Sequence, residues 1–347
     1  MLYFAYVSNV FKKSSLNELS RIFPDMDILK DYREIVIFNS KKRFSVGDFN
    51  KESPIFTYNI IRLNEKKDVS TGNYLDDIYK TAYSLKPRKK SRIRIECFDL
   101  NSRCGYSSKD IEVYIGEKLE SDGYCMDIMN PDTLLYLVII DMTCFAGCAR
   151  RNEIVRESAN PRRRYARKIS RAEWKLQEAF EEFHIPNGNL AIDVGASPGG
   201  WSAVLVNKGF RVIAIDPADF DESIVSSDAI AYHAARGKIC EVDKMNNDII
   251  HLKEKLTSAV KKMDGIIADM IAIDINSPGK DAAEAAIMYS KYLKKDGALL
   301  ITIKCQTKFV KSHIETAKKL LSKKFKIKGV RVLPANRQEV TIFGVKI

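Results

Sequence analysis

Nine consecutive residues, Asp193, Val194, Gly195, Ala196, Ser197, Pro198, Gly199, Gly200 and Trp201, lie between the apolar stretches NLAI and RVIAI. The glycines at 195, 199 and 200 let a backbone turn tightly and approach a ligand where a Cβ would collide. Two apolar runs separated by such a turn and a helix form the first βαβ unit of a parallel, nucleotide-binding sheet. Asp216 closes the second run, where a carboxylate can accept from both hydroxyls of a ribose. The turn reads DVGASPGGWS and not GxGxxG. Asp193, just ahead of the first glycine, can accept from a cationic aminoacyl end and would repel a pyrophosphate. This charge logic favours S-adenosylmethionine over a nicotinamide dinucleotide. The expected cofactor contacts are Asp193, Gly195, Ala196, Ser197, Pro198, Gly199, Gly200, Trp201 and Asp216, with Trp201 suited equally to the core.

Five segments, SRAEWKLQEAF, DVGASPGGWS, DGIIADM, ALLITIKC and NRQEVTIFGVK, resemble successive motifs of the FtsJ-like RNA ribose methyltransferase family, over about residues 168–347. The resemblance implies methyl transfer from S-adenosylmethionine to a 2'-hydroxyl of RNA, without a metal. It also implies a Lys-Asp-Lys-Glu tetrad, which falls on Lys175, Asp269, Lys304 and Glu339, with Asp269 also beside the cofactor. The residues agree with this placement. Asp269 follows the apolar run GIIA and Lys304 follows ALLITI, so both are expected at carboxyl ends of strands, where open α/β sheets bind ligands. Glu339 opens a last strand that would run antiparallel and so starts at the same edge. Lys175 would project from the helix preceding the sheet. A ribose hydroxyl is a poor nucleophile, so rate must come from in-line positioning and the handling of one proton. Lys304, flanked by Asp269 and Glu339, is expected to orient or activate the hydroxyl, and Lys175 to steer the same oxygen and its neighbouring phosphate. Asp243 is a candidate adenine contact. Arg337 suits an RNA phosphate and open solvent equally well.

The elements ahead of this site read as a strand at LYFAYVSNV, a helix at SLNELSRIF, a strand at EIVIFN and a helix at DDIYKTAYSL. RIRIECFDL, a helix over about 109–119 and LLYLVIIDM follow, with Asn130-Pro131-Asp132 as turn chemistry before the last. This order resembles a THUMP domain, an RNA-binding module. Together with the ribose methyltransferase motifs, it is most similar to the enzymes of large-subunit ribosomal RNA and implies a cytidine ribose; a transfer RNA target remains equally open. The expected fold class is α/β. A Rossmann-like class I methyltransferase domain, mostly parallel with an antiparallel last strand, would follow an α+β THUMP-like region. The expected divisions are an α/β subdomain at 1–85, the THUMP-like domain at 86–150, a basic linker at 151–167 and the methyltransferase domain at 168–347.

A formal charge of +12, from 57 Lys and Arg against 45 Asp and Glu, favours a polyanionic partner such as RNA. The segment RESANPRRRYARKISRAEWK concentrates that charge just before the proposed catalytic domain. No apolar run nears the roughly 20 residues that span a bilayer, and the first residues lack the pattern of a signal peptide, so the expected location is cytoplasmic. Seven cysteines without CxxC spacing argue against a disulfide framework or zinc ribbon. Cys144 and Cys148 read as buried thiols before metal ligands. Two rivals stand beside the enzyme: a catalytically silent RNA-binding protein on the same scaffold, and a nicotinamide-linked oxidoreductase, which the acid before Gly195 disfavours.

Overall fold

The computed structural model describes residues 1–101, 104–155, 172–227, 229–235 and 248–347. The chain divides into two units, Met1–Ala159 and Asn160–Ile347.

The first unit contains two sheets. β1 (Leu2–Val7) pairs antiparallel with β3 (Ile35–Asn39) and β4 (Thr57–Leu63), and β2 (Asp27–Tyr32) completes the order β2-β3-β1-β4. Because successive strand side chains face opposite ways, β1 buries both faces. Tyr3, Ala5 and Val7 pack with Leu19 and Ile22 of α1 (Lys12–Ile22) and with Phe49 of α2 (Val46–Glu52). Phe4 turns to the opposite side. The second sheet has the order β5-β9-β8-β6-β7, built from β5 (Glu65–Asp68), β6 (Arg92–Asp99), β7 (Cys125–Met126), β8 (Thr133–Ile140) and β9 (Thr143–Arg150). All eight residues of β8 are buried, and its apolar run divides by parity. Leu134, Tyr136, Val138 and Ile140 meet Phe4, Ile35, Ile37 and Ile61 of the first sheet. Leu135, Leu137 and Ile139 meet α3 (Tyr74–Ser84) and α4 (Ser108–Ser121). The expected boundary at 85/86 therefore crosses a single core, because Ile78 and Ala82 of α3 pack with Ile93 of β6 and Ile111 of α4. The sheet containing the Asn-Pro-Asp turn reaches back to β5.

In the second unit, α5 (Ala172–Phe183) precedes an eight-stranded sheet of order β12-β13-β11-β10-β14-β15-β17-β16. β10 (Leu190–Val194), β11 (Arg211–Ile215), β12 (Tyr232–Ala235), β13 (Ile249–Leu252), β14 (Ala268–Ile273) and β15 (Leu293–Lys304) are parallel. β17 (Glu339–Lys346) runs antiparallel between β15 and β16 (Phe325–Arg331). The helices are α6 (Gly200–Asn207), α7 (Glu222–Val225), α8 (Leu256–Ala259), α9 (Gly279–Tyr289) and α10 (Val310–Leu321). Central strands of such a sheet are covered on both faces and read as continuous apolar runs, as LAIDV, RVIAI and ADMIAI do. This is the Rossmann-like arrangement with an antiparallel last strand that the sequence leads one to expect. Among the described residues, no helix is long and apolar enough to cross a membrane.

Candidate active site

Parallel strands bring their carboxyl ends to one edge of the sheet, and the glycine turn leaves β10 at that edge. Gly195 and Gly199 have φ of +82° and +105°, a region that side chains other than glycine's rarely enter. A Cβ at Gly195 would lie 2.8 Å from the Asp274 carbonyl oxygen, and one at Gly199 would lie 2.5 Å from Ile224 Cδ1. The amides of Gly195 and Ala196 donate to the Ile215 carbonyl at 2.9 and 3.3 Å, fastening the turn to β11. Ser197 N donates to Asp216 Oδ2 (3.3 Å), Ser197 Oγ donates to the Asp219 carbonyl (2.8 Å), and the Pro198 carbonyl accepts from Asp221 N (2.9 Å). Gly200 opens α6. Asp216 stands one residue past β11, half-buried, with Oδ1 accepting from Ala218 N at 2.8 Å.

Two expected cofactor contacts lie elsewhere. Asp193 does not line the turn: it is fully buried beneath it, with Oδ2 accepting from Ser202 Oγ at 2.7 Å and Oδ1 without a partner among the described residues. Burial, helped by the nearby charges of Asp274 and Asp216, pushes its pKa up to about 7. Trp201 is a core residue, 3% exposed, and its Nε1 donates to the Ala172 carbonyl at 2.7 Å. It anchors the start of α5, the helix that carries Lys175.

Lys175 is buried, and its Nζ lies 2.9 Å from Asp274 Oδ2 and 3.0 Å from Glu339 Oε2. Glu339 is the first residue of β17 and the register partner of Lys304, the last residue of β15. Lys304 Nζ donates to Asn276 Oδ1, and Thr302 Oγ1 donates to Asp274 Oδ1. Lys175, Lys304 and Glu339 therefore meet at the carboxyl edge. Asp269 does not. It is the second residue of β14, whose register pairs Ala191 with Met270 and Val194 with Ile273, so it sits at the amino edge. There its Oδ2 accepts from Asn189 N (2.7 Å) and Leu190 N (2.9 Å), and its Oδ1 pairs with Lys294 at 2.5 Å. Its burial opposes ionisation, but Lys294 and the two amides outweigh it and hold the carboxyl below the usual range. The acid beyond the far end of the same strand is Asp274.

Three further polar residues escaped the sequence reading. Asn276 follows Asp274 by two residues in a segment that bridges to β15 through Pro278 and Lys304, and the turn chemistry of INSPG was the available sign of it. Thr302 gave no sign. His251, fully buried at the end of β13, contacts the Asp216 carbonyl through Nε2 (2.9 Å) and Tyr232 Oη through Nδ1 (2.8 Å). Burial lowers its pKa. A neutral ring donating through Nε2 and accepting from the tyrosine fits both bonds and fixes the chain where Asp216 emerges. Asp243 and the basic segment at 156–171 lie outside the described residues. Arg337 is exposed. Burial raises the Cys144 and Cys148 thiols to about 12 and about 11. Among the described residues, no three His, Cys, Asp or Glu side chains cluster to hold a metal.

The order of this sheet, with the glycine turn after its central strand and the acids at the adjoining strand ends, defines a Rossmann-like fold of the methyltransferase type. Residues 169–340 match the family model of the FtsJ-like methyltransferases. The C-terminal unit belongs to that family. Ribosomal RNA large subunit methyltransferase M of Pseudomonas putida (strain W619) is 29% identical over 167 residues, covering 44% of this chain and 47% of that protein. An uncharacterized protein of Methanocaldococcus jannaschii is 28% identical over 204 residues, 56% of this chain and 52% of its own. The chain thus matches about half the length of these curated relatives. Among solved structures, Thermus thermophilus TrmN aligns over 100% of this chain and 99% of its own, with TM-score 0.42 and 14% identity. A Methanococcus jannaschii fibrillarin pre-rRNA processing protein aligns over 60% and 81%, with TM-score 0.36 and 17% identity.

The donor set suits the cofactor of that family. Asp216 and Asp274 flank the glycine turn at the sheet edge, where carboxylates favour ribose hydroxyls and a cationic ligand and disfavour a pyrophosphate.

Proposed function

We propose that this chain methylates a ribose 2'-hydroxyl of structured RNA, ribosomal or transfer RNA, through Lys175, Asp274, Lys304 and Glu339. Asp274 takes the place first expected for Asp269. The observation that carries the reading is Lys175 Nζ held 2.9 and 3.0 Å from two carboxylates at the edge where Lys304 ends β15. Asp216 would hold the cofactor's ribose hydroxyls, the amides and glycines of 195–200 would make room for it, and Asp274 would face its cationic end. Bound there, S-adenosylmethionine supplies an electrophilic methyl group on a sulfonium.

The chain's own work is positioning and one proton. Lys175 is committed to Asp274 and Glu339, so it presents a fixed positive charge that can orient the hydroxyl oxygen and the next phosphate. Lys304 donates to the neutral amide of Asn276 and forms no ion pair with a described residue, so it is the lysine free to orient the hydroxyl and, once it has given up its own proton, to receive the hydroxyl's. Burial of the Lys175 cluster excludes water and strengthens these interactions. The first unit and the basic segment at 156–171 would serve as the RNA-holding arm, in keeping with the +12 charge. A relative named for large-subunit ribosomal RNA makes that RNA the first to test.

The test is to incubate the full chain with methyl-labelled S-adenosylmethionine and separated cellular RNAs, then map the modified nucleotide by mass spectrometry. The expected product is a 2'-O-methyl nucleotide, with transfer reduced at least ~100-fold in Lys304→Ala. A base-methylated product would overturn the ribose assignment. RNA and cofactor binding without transfer would favour a silent scaffold.

A further inference from the structure

α10 begins next to Lys304 with a sequence poorly suited to starting a helix. β15 ends at Lys304, and a 3-10 turn, Thr307–Phe309, leads directly into α10. The N-cap is Phe309, which makes no side-chain cap hydrogen bond, where Ser, Thr, Asp or Asn would satisfy a free amide. The first turn has no acid. Lys308 and Lys311 stand there instead, on either side of Phe309 in the sequence, both exposed and both opposed to the helix dipole.

Phe309 does not gain burial in exchange. It is 49% exposed, with Lys308 Nζ 5.7 Å from its ring centroid and the His313 ring 6.5 Å away. Local choices that work against the helix without filling a core point to a requirement outside the chain. Phe309 is the fifth residue after Lys304, so their Cα atoms lie at most ~18 Å apart.

We propose that Phe309 is a stacking platform for an unpaired base of the RNA that carries the target ribose, with Lys308 and Lys311 on the adjoining phosphates. The proposal rests on the RNA reading above. An exposed ring beside one lysine, with a second exposed lysine two residues on, complements the two parts of a single-stranded nucleotide, its flat base and its charged backbone. A continuous duplex hides its base faces and offers the ring nothing to stack on. Phe309 therefore selects loops, bulges and ends.

The test uses the full chain and a fluorescein-labelled 12-nucleotide unstructured RNA, with a blunt duplex of the same sequence for comparison, followed by anisotropy at fixed salt. Phe309→Ala and Phe309→Leu should each weaken single-strand binding roughly 5- to 100-fold, the range of one base-aromatic stack, while duplex binding stays unchanged. Phe309→Trp should keep the affinity, and its added emission should be quenched by the single strand alone. S-adenosylmethionine titration of each variant reports an intact fold; if the alanine variant fails it, the leucine and tryptophan variants decide. Wild-type affinity in Phe309→Leu, with no quenching in Phe309→Trp, would overturn the platform and leave the RNA reading standing. A wild-type chain that binds the cofactor and no RNA would overturn both.

Discussion

At the amino end of β14, Asp269 accepts two backbone amides at the start of β10 and pairs with Lys294, whose side chain is 52% exposed. At the carboxyl end, Asp274 pairs with a lysine only 7% exposed and accepts from Thr302, within a group that includes Glu339. Both are aspartates next to a lysine, one strand length apart. Asp269 completes the backbone bonding of a strand entry, where water shares the lysine. Asp274 belongs to a buried charge cluster with polar capacity left for a ligand. What separates the structural acid from the one proposed to act on the substrate is the sheet edge each occupies.

The sharpest way to break this contrast is activity. Asp274→Ala should lower methyl transfer at least ~100-fold, whereas Asp269→Ala should stay within a few-fold of wild type, both measured as label transferred to RNA. Equal losses at the two ends would erase the distinction. Stability should show the reverse dependence at the amino end. Asp269→Ala leaves the Asn189 and Leu190 amides without their acceptor and should cost ~1–3 kcal/mol in denaturant unfolding. An unchanged midpoint would remove Asp269 from the role assigned to it.

The smallest effect concerns the acid between them in space, Asp193, the register partner of Ala272 on β14. Its folded pKa of about 7 lies above the unfolded value. The folded state therefore holds the proton more tightly, and this group's contribution to stability is full below about pH 4 and declines as pH rises towards 7. Asp193→Asn should flatten that part of the stability profile, by at most ~1.4 kcal/mol per pH unit. The slope of thermal midpoint against pH is the readout; an identical slope in wild type and variant would contradict the buried acid.

The positions of the glycine turn, Lys304 and Glu339 at one sheet edge were legible because each is marked by a turn or by the boundary of one apolar run, whereas Lys175, inside a helix, was marked only by the family resemblance of SRAEWKLQEAF. The acid of β14 was not legible, because GIIADMIAID offers two aspartates, each closing an apolar run. Composition cannot choose between them. Register can: pairing with β10 runs from Met270 to Ile273, which puts Asp269 ahead of it, and the Asn-Ser-Pro-Gly turn after Asp274 marks the strand's carboxyl end. Asp193 was misjudged for a related reason, since its place ahead of a glycine gives no sign of the face on which it is buried. In the first unit, the strands at LYFAYV, EIVIFN and LLYLVII were readable from apolar pattern. The packing of the two sheets was not, because only the parity of β1 and β8 assigns their side chains to separate cores.

The antiparallel entry of β17 sets how the molecule can tolerate insertion and deletion. Lys304 and Glu339 face each other because two strands meet in one register, although α10 and β16 lie between them in the chain. Residues gained or lost between α10 and β16 leave that pairing untouched. A slip of one residue within β17 turns every side chain to the opposite face and replaces Glu339 with Val340 opposite Lys304. The pairing is thus indifferent to how far apart its members stand in the sequence and intolerant of odd steps within one strand.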